Sequence, residues 1–447
     1  MSDDPQRGST SRAATSERDA SARRLLEEVR PGMDLCVHCG FCLQACPTYL
    51  ALEDENDSPR GRIVLMRALA DAALPLDDAD AGLHLDRCLG CRACETACPS
   101  GVPYGSLLEA ARASLREVRR PDWFVRALLG VFATPWALRA AMAVSRFIRF
   151  TRVPALLGRL PGRFAFANAM LESTRDTLAK SAYRAPGGTT GRRGSVAVLR
   201  GCVMEGLFAS TNRATERTLA ANEYAVVDAP GQRCCGALHA HAGDLDGARR
   251  LARVNIAAFE RSGAAHVAVN SAGCGAMMKE YGHLLKDDSR WASRAHRFAA
   301  TVRDATELLA VAGPRRGGAL PVTVAYDAPC HLLHAQRVSS PPLAVLGAIP
   351  GLQLAPLEDA DQCCGAAGLY SLVEPATSQA VLTPKLRNLE ATRARWVATG
   401  NPGCLMQLGA GLLRAGTPMR AIHPVALLDA SYAALAATED GSLPAAE

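Results

Sequence analysis

Two stretches of this chain, CVHCGFCLQACP starting at Cys36 and CLGCRACETACP starting at Cys88, share one spacing, CxxCxxCxxxCP. This is the bacterial spacing for a cubane iron–sulfur cluster, in which three close cysteines wrap one face and the fourth ligates the other cluster. The crossed ligand sets are then Cys36, Cys39, Cys42 and Cys98 for one [4Fe–4S] cluster, and Cys88, Cys91, Cys94 and Cys46 for a second. Thiolates suit the task because the ligand must be anionic and soft to hold iron and spread an added electron, and the small Gly40, Gly90, Ala45 and Ala97 leave room around the sulfides. Zinc sites more often show CxxC pairs separated by a longer loop, without triplets closed by CP. Two clusters in one module point to electron relay, since a structural role would require only one. His38, inside the first motif, reads as a solvent-facing loop residue and not as a ligand; the other reading is a hydrogen bond that tunes a cluster.

A second cysteine system lies further on and is repeated in tandem. One copy has Cys202, Cys234, Cys235 with Gly236, and Cys274; the other has Cys330, Cys363, Cys364 with Gly365, and Cys404. The offsets between equivalent cysteines are 128, 129, 129 and 130 residues, which chance does not produce. Adjacent cysteines point apart unless the backbone bends, and the following glycine supplies that freedom. Three explanations compete for these eight residues: further iron–sulfur centres, a redox-active thiol pair, or buried structural cysteines.

The elements that position the cysteines follow from periodicity. Between the two CP motifs, Ile63, Leu65, Met66, Leu69 and Leu74 fit a helical stripe, so the first module is expected to be largely helical, with metal replacing much of its core. Residues 105–190 read as helices broken by Pro121, Pro135, Pro154 and Pro161. Within them, residues 123–150 mix Trp123, Phe124, Phe132, Trp136, Phe147 and Phe150 with Arg126, Arg139, Arg146 and Arg149. That mixture fits a helical arm packed on its own protein or a partner, or an interfacial helix pair on a membrane. In each repeat, short β-rich runs (196–199, 226–227 and 267–269; then 322–326, 352–354 and 396–398) alternate with helical runs such as 207–221 and 246–259. Alternation of this kind implies parallel sheets with right-handed crossovers, and the cysteines follow the strands, at the carboxyl ends where sites of open α/β sheets assemble.

Composition excludes several classes. The chain has 447 residues, 49% hydrophobic and 21% charged, enough to bury cores in about three domains. A net charge of +6 spread along the chain implies no nucleic-acid partner. The opening MSDDPQRGSTSRAATSERD lacks the pattern of a signal peptide, and no run reaches the ~18 apolar residues of a spanning helix, so a reducing, cytoplasmic setting with at most peripheral membrane contact is expected. No GxGxxG opening a helix, GxxxxGK[ST] or HExxH occurs, so no flavin signature is present and electrons must come from another polypeptide.

Taken together, CVHCGFCLQACPTYL, SPRGRIVLMR, LHLDRCLGCRACETACPSGVPYG, CCGALHAHAGD, SGAAHVAVNSAGCGAMMKEYG, PCHLLHAQ, CCGAAGLYSL and NPGCLMQL resemble the iron–sulfur subunits of bacterial glycolate oxidase (glycolate dehydrogenase), from about residue 30 to 430. The resemblance implies a complex in which flavin-binding partners oxidise glycolate to glyoxylate while this chain passes electrons toward a membrane quinone, with no catalytic residue of its own. The iron–sulfur proteins of lactate and glycerol 3-phosphate oxidation share the layout. The second half is similar to the CCG domains of heterodisulfide reductase, which implies an alternative of redox chemistry at the CCG sites. That pattern ends each repeat with CxxC, whereas Met277 and Gln407 stand at the last position here, leaving four cysteines per repeat. The expected fold is multidomain α and α/β: an unordered tail (1–22), a helical ferredoxin-like domain with two clusters (23–110), a helical connector (111–193), two duplicated CCG domains with small parallel sheets (194–320 and 321–433) and a flexible tail (434–447).

Overall fold

The computed structural model of the protein describes residues 5–119, 122–175, 178 and 191–439. They fall into two compact units, one up to Gly130 together with Leu238–Ala248, the other Val131–Ala237 together with the residues from Arg249 onward.

The first unit is built from the helices Pro5–Glu28, Pro59–Ala70, Ala79–Asp86 and Tyr104–Val118. The second of these starts at SPRGR for local reasons. Ser58 Oγ accepts from Gly61 N at 2.9 Å, and Pro59 occupies the first turn, where its missing N–H costs nothing. A Cβ at Gly61 would lie 2.0 Å from the Glu55 carbonyl oxygen, so only glycine fits. Ile63, Met66 and Leu69 are buried as the stripe predicts, and they pack with Leu26, Met33, Leu85, Leu107, Ala111 and Leu115 around the cysteine loops. Arg62, on the same helix, is fully buried. Its Nη2 donates to the equally buried Asp57 Oδ1 at 3.0 Å, its Nη1 to Thr48 Oγ1 at 3.1 Å and its Nε to the His84 carbonyl at 2.6 Å. Arg87 Nη1 completes Asp57 at 3.2 Å.

Three expected boundaries move. The tail expected to be unordered to residue 22 is helical from Pro5, because Ala22 and Leu26 are fully buried and anchor the helix against the core; residues 1–4 lie outside the described set. The helix Tyr104–Val118 crosses the expected end of the first domain at 110, since Ala111 and Leu115 bury in the same core as Leu107. The segment Leu238–Ala248 of the first repeat joins this unit, where Arg112 Nη1 donates to the His241 carbonyl at 3.1 Å and Arg116 Nη1 to that of Ala242 at 3.4 Å.

The second unit holds two four-stranded sheets. Strands β1 (Ser195–Val198), β2 (Ala225–Val227), β3 (His266–Val269) and β4 (Val302–Asp304) lie in the order β2-β1-β3-β4. Strands β5 (Val322–Tyr326), β6 (Leu352–Ala355), β7 (Trp396–Ala398) and β8 (Arg420–Ile422) repeat it as β6-β5-β7-β8, and every pairing is parallel. The α/β duplication read from alternating runs is therefore present, with one extra strand per repeat. β4 and β8 escape a pattern reading because each is a three-residue edge strand carrying an outward arginine, Arg303 or Arg420.

The repeats pack crosswise. The helix Ala209–Ala221 of the first lies against Pro424–Glu439 of the second, and Ala305–Ala312 against Ser340–Gly347, burying Leu219, Leu309, Val345, Leu346 and Leu428 in one core. Arg217 grips Asp429 with two hydrogen bonds of 2.8 and 2.6 Å, and Asn222 Nδ2 donates to Tyr432 Oη at 2.9 Å. Because Tyr432 sits in this core, the last helix continues to Glu439 instead of yielding to a flexible tail at 434; residues 440–447 lie outside the described set. The helix Arg163–Ser173, expected as connector, packs Phe166, Ala169 and Met170 against Leu382, Leu408 and Ala410 of the second repeat.

His423 joins the repeats. Its Nδ1 accepts from Val425 N at 3.1 Å, so the proton resides on Nε2, which donates to the Asn270 carbonyl at 3.0 Å. Burial pushes its pKa down to about 4 from an ordinary 6.5. Between those values the unfolded chain binds a proton that the folded chain refuses, so stability present above pH 6.5 is lost as pH falls toward 4. The full loss amounts to roughly 3 kcal/mol. Guanidinium unfolding of the parent and His423→Gln over that range should show the difference between their stabilities shrinking at low pH; a constant difference would contradict it. In the first unit, Arg62→Met should cost about 3 kcal/mol by leaving the buried Asp57 carboxylate with only Arg87 and the His84 ring beside it, and Arg62→Met/Asp57→Leu should recover much of it. Equal losses in the single and double variants would refute the pairing.

Candidate metal centres

The two CP motifs end in backbone that turns sharply. Cys46 is the N-cap of the helix Pro47–Leu52, and Arg92, in the left-handed region at φ 65°, opens the short helix Ala93–Thr96 that carries Cys94. Gly40 and Gly90 also have positive φ, at 87° and 61°, which lets each chain double back between its cysteines. The result is a small pocket lined by Cys46, Cys88, Cys91 and Cys94, with Arg62, Thr48 and Tyr104 in its wall. All four of these cysteines are buried. Cys46 comes from the first motif and the other three from the second, the crossed grouping that the spacing predicts.

The other expected set is more open. Cys36, Cys42 and Cys98 are half-buried against the same apolar core, and Cys39 is exposed. Burial pushes the Cys42 thiol up to about 11, with Cys36 and Cys46 adding to the rise. Cys94 is pushed well above the usual thiol range by burial first, then by Cys88 and Cys46. His38 is exposed, with Arg67 Nη1 3.4 Å from its Nε2.

The wall of this pocket is polar on one side. Gly90 N donates to Cys88 Sγ at 3.4 Å and Tyr104 Oη at 3.8 Å, while Thr48 Oγ1 lies 3.3 Å from Cys46 Sγ. Burial works against the charge on Arg62, but Cys88, Tyr104, Cys46 and Asp57 together hold it firmly protonated. A buried all-sulfur donor set, in which Cys94 resists ionisation unless positive charge lies beside it, fits a soft, multiply charged centre such as an iron–sulfur cluster.

In the second unit the cysteines sit beyond the carboxyl ends of the strands, as their order along the chain predicts. Cys202 follows β1, Cys234 and Cys235 follow β2, and Cys274 lies in the helix Ala272–Lys279 after β3. Hydrogen bonding to Cys234 and burial push Cys202 well up, and Cys234 and Cys274 do the same to Cys235, so Cys234 and Cys274 lie near both Cys202 and Cys235. In the second copy Cys364 Sγ lies 3.2 Å from Cys404 Sγ, and Cys363 and Cys404 are the first causes of its raised pKa. Cys330 is buried, 3.5 Å from His331 Nδ1. Gly236 and Gly365 adopt φ of 91° and 82°, and a Cβ on Gly365 would lie 2.7 Å from the Ser378 carbonyl oxygen. Among the described residues no two cysteines form a disulfide.

The side chains that fix these loops were not singled out by the sequence. Asn255 Nδ2 donates to the Cys234 carbonyl at 2.9 Å, and Tyr281 Oη to that of Cys235 at 2.7 Å. In the second copy Ser378 Oγ donates to the Gly365 carbonyl at 2.9 Å and receives Gln407 Nε2 at 2.9 Å, so the position that breaks CxxC serves as a buried clamp. Lys385 is buried with Asp327 at 3.0 Å and donates to the Asp359 carbonyl at 2.6 Å. Burial opposes its charge, but Asp327 and the thiols of Cys364 and Cys363 keep its pKa above the usual lysine value. The only sequence signal for such residues is a polar side chain at a core-facing helical position, as Arg62 has within SPRGR.

The chain matches the family model of the 4Fe-4S dicluster domain over residues 32–102, and that of the cysteine-rich CCG domain twice, over 196–279 and 324–409. It is 37% identical over 413 residues to the probable glycolate oxidase iron–sulfur subunit of Bacillus subtilis, covering 88% of this chain and 92% of that protein. The glycolate oxidase iron–sulfur subunit of Escherichia coli is 34% identical over 410 residues, covering 88% of this chain and 93% of its own length. Lactate utilization protein A of Geobacillus thermodenitrificans is 29% identical over 230 residues, 51% of this chain. With two glycolate oxidase iron–sulfur subunits above 30% identity over most of both chains, and with the dicluster and both cysteine-rich domains matched, the chain belongs to the family of glycolate oxidase iron–sulfur subunits.

Proposed function

We propose that this chain is the electron relay of a glycolate oxidase complex, taking electrons from flavin-binding partner subunits that oxidise glycolate to glyoxylate and delivering them toward a membrane quinone. The observation that carries the reading is the pocket where Cys46 meets Cys88, Cys91 and Cys94. In this reading Cys88, Cys91, Cys94 and Cys46 hold one [4Fe–4S] cluster, and Cys36, Cys39, Cys42 and Cys98 hold the other. Bound clusters of this type each exchange a single electron, which divides the two-electron oxidation of a hydroxy acid into steps a quinone chain accepts.

The protein's own groups set how readily an electron is held. Gly90 N–H and Tyr104 O–H, donating to Cys88 Sγ, draw charge from the sulfur. Arg62 adds a buried positive charge in the same wall, and Asp57 moderates it at 3.0 Å. These contacts favour the electron-loaded state of the inner site over that of the more open Cys36 set. In the repeats, the neighbouring thiols of the first copy, and of Cys363, Cys364 and Cys404 in the second, support additional iron–sulfur centres at Cys202, Cys234, Cys235 and Cys274 and at Cys330, Cys363, Cys364 and Cys404. No residue of the chain is assigned a role in breaking the C–H bond.

Two other readings differ in what they require. A lactate complex is supported by relatives that align with only about half of this chain, 51% for Lactate utilization protein A of Geobacillus thermodenitrificans, so glycolate is the better-supported substrate of the partner. Disulfide reduction at the CCG sites is supported by the 3.2 Å approach of Cys364 to Cys404.

The isolated chain should not oxidise glycolate. Adding flavin-binding subunits should restore glycolate-driven bleaching of its visible absorbance, faster than with lactate. Cys91→Ser should cut electron delivery to a quinone analogue by about 100-fold or more while leaving glycolate-dependent flavin reduction in place. Turnover by the chain without partners, or full quinone reduction by Cys91→Ser, would overturn the relay. Thiol-linked disulfide reduction that Cys235→Ser and Cys364→Ser abolish would favour the CCG-site reading instead.

A further inference from the structure

Among the described residues, no single helix is long and apolar enough to cross a membrane. One helix nevertheless turns its apolar side outward. On Pro135–Phe150, Trp136, Val144, Phe147 and Phe150 are 70%, 57%, 69% and 82% exposed, and with Ala140 and Ala143 they form one stripe at helical spacing. The opposite side holds the helix in place. A Cβ on Gly206 would run into Met142, Arg146 Nη1 donates to the Gly206 carbonyl at 3.2 Å, and Arg149 Nη1 donates to the carbonyls of Thr174 at 2.8 Å and Leu207 at 3.1 Å. A surface helix usually turns its large apolar side chains inward, and here four of them stand in solvent.

The exposed apolar surface continues along the next two helices, Val153–Leu157 and Arg163–Ser173, which pack with the first. There Leu156, Leu160 and Phe164 are 71%, 54% and 71% exposed. Charge on this stretch is of one sign. From Val131 to Leu171 the chain has six arginines and no Lys, Asp, Glu or His, and Arg139, Arg152, Arg159 and Arg163 are exposed among the apolar residues. A contiguous apolar surface of this kind marks a docking face, and the arginines decide its partner.

We propose that helix Pro135–Phe150, with the turns that follow it to Phe164, lies in the interface of an anionic phospholipid bilayer. Trp136, Phe147, Phe150 and Leu156 would enter the acyl boundary while the arginines meet lipid phosphates, the pattern of an in-plane amphipathic helix with a basic rim. At 16 residues the helix is about 24 Å long, too short to span the ~30 Å hydrocarbon layer and suited to lying flat. The inference rests on the reading that electrons leave this chain for a membrane quinone, and it identifies the surface that brings the chain there.

Flotation of the cluster-loaded full-length protein with vesicles tests it, using phosphatidylcholine alone or mixed with phosphatidylglycerol. The protein should float with the mixed vesicles and much less with phosphatidylcholine. Phe147→Ser/Phe150→Ser, and separately Arg139→Gln/Arg152→Gln/Arg159→Gln, should weaken binding about tenfold or more with unchanged visible spectra. Failure of the parent to float, or variants that float as well as the parent, would overturn the proposal. Retained flotation with loss of binding to the flavin subunits would likewise overturn it, making the face a subunit interface. Glycolate-driven reduction of a water-soluble dye by the reconstituted complex separates the two readings. If the parent reduces the dye but does not bind vesicles, the lipid face fails and the relay stands; if it binds vesicles but never reduces the dye, the relay fails.

Discussion

A thiolate that leaves water to sit beside other thiolates loses its hydration and gains repulsion, and neither cost is offset by helices or strands. The raised pKa values of Cys94, Cys202, Cys235 and Cys364 express that constraint directly: burial and sulfur neighbours both push toward the neutral thiol. Positive charge placed among the sulfurs reverses the balance, and much of the architecture serves to hold the sulfurs where such charge can bind. In the first unit, four helices contribute apolar residues to one face of the cysteine loops while Arg62 and its partners close another. In the repeats, short parallel strands bring four loops to one end of each sheet.

The stability of the first unit therefore depends on groups that are poor core formers by themselves. Cys88 and Cys94 belong to the apolar cluster, and Arg62 and Asp57 are wholly buried at its edge. An ion pair in that position contributes little net stability compared with an apolar replacement, but it fixes geometry and leaves a positive charge beside sulfur. The second repeat uses the same device, with Lys385 and Asp327 buried beside Cys363 and Cys364. The first repeat instead holds its CCG turn through Asn255 and Tyr281. Duplication has kept the sulfurs and the strand order while the supporting shell has diverged.

Cysteine spacing made the grouping of Cys46 with Cys88, Cys91 and Cys94 legible, because ligand spacing is a local property of the chain. The tandem offsets and β-rich runs likewise revealed six of the eight strands and the place of each cysteine after them. What stayed hidden depends on long-range contacts. β4 and β8 are strands only because β3 and β7 offer them an edge. The helix Pro5–Glu28 exists where composition suggested none, because Ala22 and Leu26 find a core far along the chain. The transfer of Leu238–Ala248 to the first unit depends on two arginines, Arg112 and Arg116, that no periodicity marks. No spacing or motif marks Asp57, Asp327 and Ser378, whose roles come from partners distant in the chain or in a turn of the fold.

Anaerobic iron and acid-labile sulfide analysis, with low-temperature EPR of the reduced protein, tests the central claim most directly when the parent is compared with Cys46→Ser and with Cys235→Ser/Cys364→Ser. The account predicts at least about eight irons in the parent, with magnetically interacting centres from two four-iron clusters, loss or alteration of one of these in Cys46→Ser, and a further fall from a total above eight in the CCG double variant. A protein with tightly bound zinc and no iron, or one whose two N-terminal centres are untouched by Cys46→Ser, would contradict it.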